Sequence, residues 1–456
     1  MDANMHFKKN YIARLEEDIH QSREFFRLCQ LHAIADEKGT SDKTSSSDCK
    51  ITGAINPSKV GRSALFDENR LMSLFQQDTL RIYHVCPTSE MNDVKAMPLY
   101  DASDKQLRKL IISKKIKEFA FNGVWHSVCN YLFFLMGISS DESVIYHCSN
   151  LLEELTSFTC NEWAPTTSDL LAVLVNQGAN GFLLSKIPAQ TGIMEVKMPN
   201  WIFTIGGSNG EKPAFDEFSI NLKLILDFFS VDMRKRNVKY GQTALLQFLH
   251  MFISVICSEV YTNNPAIFKS GIRSINVILN AIKDEIWEFK GYTFVAALAN
   301  SYAPYFVSNP ERTNFFSQFI SSCKPRGLLL SRFFARTVIS LLTKSKVDFL
   351  TFPTLQNVAE IVQNADDLED LSISADHIWL CIQCLEAFEI NEKISSTNLV
   401  TLRYLHSWLE EQMDKMMSGT RKFELASLEP KVTNLLQHWR KIIALKSQER
   451  RLWVMK

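Results

Sequence analysis

Glycine and proline are both scarce in this chain, with 16 Gly and 13 Pro in 456 residues against average usage of roughly 7% and 5%. Few residues are therefore set aside for turns, which disfavours an all-β or doubly wound fold and favours long helices. An excess of charge of one sign is also absent, because Lys plus Arg and Asp plus Glu each total 50. No global field draws the protein to nucleic acid or to an acidic membrane, so any DNA contact has to be local. The ten cysteines follow no framework of regular spacings, which points to free thiols in a reducing compartment, cytosol or nucleus.

Long apolar runs are missing too. The longest, Ala244 to Val260, is broken by Gln247, His250, Ser254 and Glu259 and falls short of the roughly 20 residues that a bilayer span needs. It reads as a core helix, and no membrane partner is expected. Met1 to Asn10 is polar and lacks the charged-then-apolar layout of a secretion signal, so export is not expected either.

Catalytic motifs are equally absent. The stretch Gly206 to Gly210 lacks the Lys-Ser or Lys-Thr ending of a phosphate-binding loop and reads as a flexible loop. No two histidines stand four residues apart on a helical segment, where paired metal ligands would project together. Cys381 and Cys384 form a Cys-x-x-Cys pair, but they sit inside the apolar run Ile378 to Phe388 with no second pair at zinc spacing, so they read as structural thiols. Asp366, Asp367, Glu369 and Asp370 read as a solvated loop beside a helix cap. These readings lead to the expectation of a protein that is not an enzyme and needs no metal or cofactor.

What the chain does have, from Leu107 onward, is a succession of helix-length apolar segments separated by short polar breaks. Leu245, Leu246, Phe248, Leu249, Met251, Phe252, Ile253, Val255 and Ile256 make one segment apolar nearly all round, so as a helix it must lie within a layer of others. Ser103 with Gln106 has capping-box spacing ahead of Leu107. Ser139 with Glu142 repeats that spacing, and Pro165 with Thr167, Ser168 and Asp169 marks another start. Further apolar segments run over 222–229, 272–289, 294–302, 315–320, 328–342, 355–362, 378–388, 399–416 and 431–446. No exact period recurs, so the fold class expected is all-α, an irregular HEAT-like helical array.

The domain organisation follows. Residues 1–35 read as an amphipathic helix whose stripe of Tyr11, Leu15, Ile19, Phe25 and Phe26 suits a partner helix, although the same stripe also fits a helix folded on its own domain. Residues 36–63 are small or charged and read as a flexible linker. The helical domain spans 64–446 with a loop insertion near 186–218, and 447–456 form a basic C-terminal tail. Two basic clusters stand out: Arg234, Lys235, Arg236 and Lys239, and near the end Arg440, Lys441, Lys446, Arg450 and Arg451. Either suits a phosphate, and either also suits the negative end of its own helix. A weak, salt-sensitive DNA contact is expected at the second, through Arg440, Lys441, Arg450 and Arg451.

Three segments carry a resemblance to a known family. Leu65 to Leu80 reads LFDENRLMSLFQQDTL, Leu132 to Leu155 reads LFFLMGISSDESVIYHCSNLLEEL, and Trp163 to Ala179 reads WAPTTSDLLAVLVNQGA. With the paired-helix segment Asn221 to Ile256 and the helix order of Leu328 to Trp439, the chain resembles the CANIN-domain family. That family includes the sixth non-SMC element of yeasts and the second SMC localisation factor of animals. The resemblance implies a non-enzymatic nuclear subunit that forms an obligate heterodimer with a second non-SMC element, docks on the SMC five-six complex, regulates its ATPase and loads it on chromatin for DNA repair. The residues also admit a generic helical-repeat adaptor that binds a peptide in a groove, and an all-helical enzyme assembled from scattered side chains.

Overall fold

The computed structural model describes residues 85–86, 97–158, 163–185, 193, 195–197, 219–236, 240–258, 264–308, 325–345, 353–365, 375–389, 396–418, 426 and 428–454. These lie in one compact unit, Pro57–Lys456. The stripe of Tyr11, Leu15, Ile19, Phe25 and Phe26, the linker 36–63, the glycine stretch at 206–210, the segment 315–320 and the acidic run 366–370 lie outside the described residues.

Among the described residues the fold is all-α, with an isolated bridge residue at Ala179 as its sole β feature. In chain order the helices are α1 (Met97–Tyr100), α2 (Asp104–Ile112), α3 (Ile116–Phe119), α4 (Trp125–Ile138), α5 (Glu142–Ser157), α6 (Thr167–Asn176) and α7 (Gly181–Ser185). There follow α8 (Ser219–Arg236), α9 (Gln242–Ile256), α10 (Pro265–Ala281), α11 (Asp284–Ile286) and α12 (Tyr292–Ser308). The chain closes with α13 (Pro325–Leu342), α14 (Leu355–Gln363), α15 (Ala375–Glu389), α16 (Ser396–Ser418) and α17 (Glu429–Val454). A kink at Gly123 within Ala120–Val124 leads into α4, and a short π-helical turn at Trp287–Gly291 leads into α12.

Each helix packs on its neighbours in a continuous series: α4 on α5, both on α8, α8 on α10, α10 on α9 and α13. From there α13 packs between α12 and α15 and passes through α14 and α16 to α17. A single apolar core accordingly runs from Val85 to Trp439. The all-round apolar segment is α9, where every residue from Leu245 to Ile256 is buried, Gln247, His250 and Ser254 included. Fully burying each Leu, Ile or Phe there is worth about 1.5–3 kcal/mol, which is what holds so unrelievedly apolar a helix in the middle layer. No described helix is long and apolar enough to cross a membrane.

Capping explains the boundaries, and two of them fall elsewhere than the spacing suggests. At α2 the box forms as expected: the Ser103 backbone N–H donates to Gln106 Oε1 at 2.7 Å. At α5 the cap is Asp141, whose Oδ1 accepts from the Ser143 and Val144 amides at 3.0 and 3.3 Å. Ser139 instead ends α4, and its hydroxyl accepts from the Asp141 amide at 3.1 Å. An aspartate two residues nearer the helix is the better acceptor for N2 and N3 amides. Ahead of α6 the cap is Thr166, which exchanges hydrogen bonds with Asp169: its amide donates at 2.7 Å and its hydroxyl accepts from the Asp169 amide at 3.1 Å.

Gly178 then closes α6 with φ 88°, and the Gly178 and Ala179 amides return to Val175 and Leu174 at 3.0 Å each. That is a Schellman stop, which favours glycine. The segment expected over 272–289 is not one helix: Asn264 and Pro265 start α10 seven residues earlier, through Asn264 bonds to the Ala266 and Ile267 amides, the helix ends at Ala281, and α11 and the π turn from Trp287 follow. The stretch 447–456, expected as a separate tail, continues α17 as helix through Val454. Its residues SQERRLW include good helix formers and nothing that stops the preceding turn.

Candidate interaction surfaces

An aromatic cluster lies at the entry to α4. Gly123, within Ala120–Val124, adopts φ 115° and kinks the chain between α3 and α4, a conformation that only glycine takes without strain. At this kink Phe121 is exposed at 56%, while Trp125 is half-buried. The Phe121 ring lies 5.6 Å from Trp125 and 5.5 Å edge-on from Phe158, itself exposed at 49%. The Trp125 indole N–H is buried without a hydrogen-bond partner, a state that costs about 1–3 kcal/mol until an acceptor is supplied. Beside the cluster, Lys117 of α3 pairs with Glu154 of α5, and that hydrogen bond holds the Glu154 carboxyl below the usual range. The sequence carried a signal, the run Phe-Ala-Phe-Asn-Gly-Val-Trp over 119–125, which periodicity alone does not pick out.

A second surface is a cleft between the end of α8 and the outer face of α10. Its walls carry Arg234, Lys269, Arg273, Asn276 and Asn280 over a floor of Met233, Ile272, Val277 and Ala281, and its volume is about 580 Å³. Arg234 of the first basic cluster lines this cleft, and Lys235 next to it is exposed. Asp227 of α8 lies within 2.9 Å of Lys223 and 3.2 Å of Arg273. Inward, Asp232 is buried and accepts a 2.6 Å hydrogen bond from the Tyr240 hydroxyl. Gly271 of α10 leaves room for Ile256 of α9, and α10 is tied to α8 by the Ser274 hydroxyl, which donates to the Leu226 carbonyl at 2.6 Å.

The third surface is α17. Val432, Leu435 and Trp439 are its buried anchors, and no described side chain beyond Trp439 is buried. Arg440 and Lys441 are both exposed. Arg440 pairs with Glu410 of α16, which His406 also reaches at 3.0 Å, so part of the Arg440 charge is already answered. Arg450 and Arg451 lie on the last turns of the same helix. The structure thus strings the four expected DNA-contact residues along one helix rather than gathering them in a pocket.

The Cys-x-x-Cys pair lies within α15, both thiols free and buried at 1% and 0% exposure. Burial pushes the Cys381 thiol up to about 12 and, with Cys381 and Glu386 nearby, pushes Cys384 well above its ordinary value. That is the opposite of an activated nucleophile, which needs a depressed pKa. Among the described residues no three His, Cys, Asp or Glu side chains gather as metal ligands would. No family model matches this chain, and no curated protein matches it.

Proposed function

We propose that this chain is a non-catalytic nuclear subunit that pairs with a second non-SMC element, docks on the SMC five-six complex, regulates it and loads it on chromatin for DNA repair. The resemblance in helix order supplies the identity of the partners. The observation that carries the pairing is the cluster of Phe121, Trp125 and Phe158: two exposed aromatic rings packed edge to face beside a buried indole N–H that lacks an acceptor. Aromatic residues with a polar tip are the side chains that most often anchor protein interfaces. A partner segment covering the two phenyl rings would take their exposed apolar surface out of water. Weak DNA contact through Arg440, Lys441, Arg450 and Arg451 is part of the same reading.

Purification of the tagged chain from its own cells, followed by identification of what accompanies it, tests this. The expected result is a second non-SMC element in equal amount, with the SMC pair. The double change Phe121→Ser and Phe158→Ser, both at exposed positions, should leave the melting temperature unchanged and abolish that association. Recovery of a well-behaved monomer without SMC proteins refutes the proposal.

A further inference from the structure

We propose that the cleft between α8 and α10 is a seat for the phosphodiester backbone of a nucleic-acid duplex, separate from the C-terminal helix. Lys269, Arg273, Asn276 and Asn280 follow one another at steps of four, three and four residues, so they form a single row on one face of α10. That row spans about 16 Å at 1.5 Å per residue, the axial length of roughly five nucleotides of one strand. Arg234 extends the row from the facing helix, across the cleft that all five residues line. The row is built of cations followed by amides, which are the donors that meet phosphate and sugar oxygens.

The electrostatics of the two helices point the same way. Along its whole length, PAIFKSGIRSINVILNA, α10 carries no carboxylate. On α8, Asp227 is the one partly exposed acid, shared between Lys223 and Arg273, while Asp232 faces inward to Tyr240. A chain with no net charge thus concentrates Lys223, Arg234, Lys235, Lys269 and Arg273 against one exposed-side acid. The lining also decides between occupants. It contains no aromatic ring, so it lacks the stacking platform on which single-stranded bases are held, and its donors continue past the cations through Asn276 and Asn280, farther along α10 than a lone phosphoryl group reaches. A backbone running along the cleft meets every donor. This inference does not depend on the SMC reading.

The test is fluorescence anisotropy of short labelled probes with the full chain. Probes are duplex DNA, duplex RNA of the same sequence, single-stranded DNA, and a phosphoserine peptide. With Arg234, Lys269 and Arg273 each meeting one phosphate, log affinity falls against log salt with a slope of about −2.7, roughly forty-fold between 50 and 200 mM. The double change Arg234→Glu and Lys269→Glu should shrink that slope by about two and weaken duplex binding by at least ten-fold, with an unchanged melting curve. The pair Arg440→Glu and Lys441→Glu serves as the comparison and should leave the cleft's share intact. Whether duplex DNA or duplex RNA binds more tightly identifies the source of the phosphates. Unaltered duplex binding by the cleft variant overturns the proposal, as does tighter binding of the single strand or of the phosphopeptide than of either duplex.

Discussion

Replacing Gly137 by alanine is the sharpest test of how the first helices pack. Gly137 sits in the last turn of α4, where an added Cβ would lie 2.5 and 2.9 Å from the two γ-methyls of Val173 on α6 and 3.3 Å from its Cβ. On an isolated helix this change stabilises by about 1 kcal/mol. Here the obstacle is a β-branched side chain with one strongly preferred helical rotamer, so Val173 cannot swing aside, and α4 and α6 must part. Overpacking of this kind costs about 1–3 kcal/mol. The same movement loosens the 2.9 Å bond from Gln177 Nε2 to the Gly137 carbonyl, in a buried place, where losing a partner adds about 1–3 kcal/mol. The expected net effect is a loss of about 1–5 kcal/mol, read as a lower urea midpoint at unchanged slope. Adding Val173→Ala should recover part of it, with a coupling of about 0.5–3 kcal/mol between the sites. A Gly137→Ala protein as stable as the parent, or more so, would refute the close approach of α4 and α6.

Two further outcomes follow from the same core. Trp439→Ala removes the largest buried anchor of α17 and should cost about 3–5 kcal/mol, seen as cleavage by a protease within α17 under conditions that leave the parent intact; equal resistance would mean the helix is held elsewhere. Cys148, Cys257, Cys381 and Cys384 are buried, and burial raises each thiol above its ordinary value. The folded state keeps these protons while the unfolded chain releases them near pH 8.5, so stability is whole below that pH and falls as pH rises beyond it. Each thiol contributes a slope of about 1.4 kcal/mol per pH unit. Urea midpoints at pH 8 and pH 10 check this, and equal midpoints would contradict the burial of the thiols.

The helical architecture was legible because its cause is local. A segment such as 245–256 offers no polar face, so any structure it joins must surround it, and Ser103 with Gln106 marks a start whatever lies nearby. Where two acceptors compete, as Ser139 and Asp141 do ahead of α5, spacing picks the wrong one, since the choice depends on which side chain reaches the N2 and N3 amides. The ends of helices were harder again where a later residue supplies the cap. The carbonyls of Met136 and Ser139 at the end of α4 are satisfied by Asn221, more than 80 positions along the chain.

The interaction surfaces were barely legible at all. Arg234 and Lys235 are conspicuous as a run of charge, but Lys269, Arg273, Asn276 and Asn280 read as the ordinary outer face of a helix until α8 and α10 are brought together. Phe121 and Phe158 are 37 positions apart in the chain, yet their rings meet in the fold. The amino-acid order by itself determined that this protein is built of helices whose apolar faces are buried among the described residues, since propensity, capping and hydrophobic spacing act within a few residues. Which faces remain uncovered, and which charges stand side by side on them, was decided by packing. Those outcomes depend on contacts between distant segments, such as Gly271 against Ile256 or Gly137 against Val173, that no local pattern records.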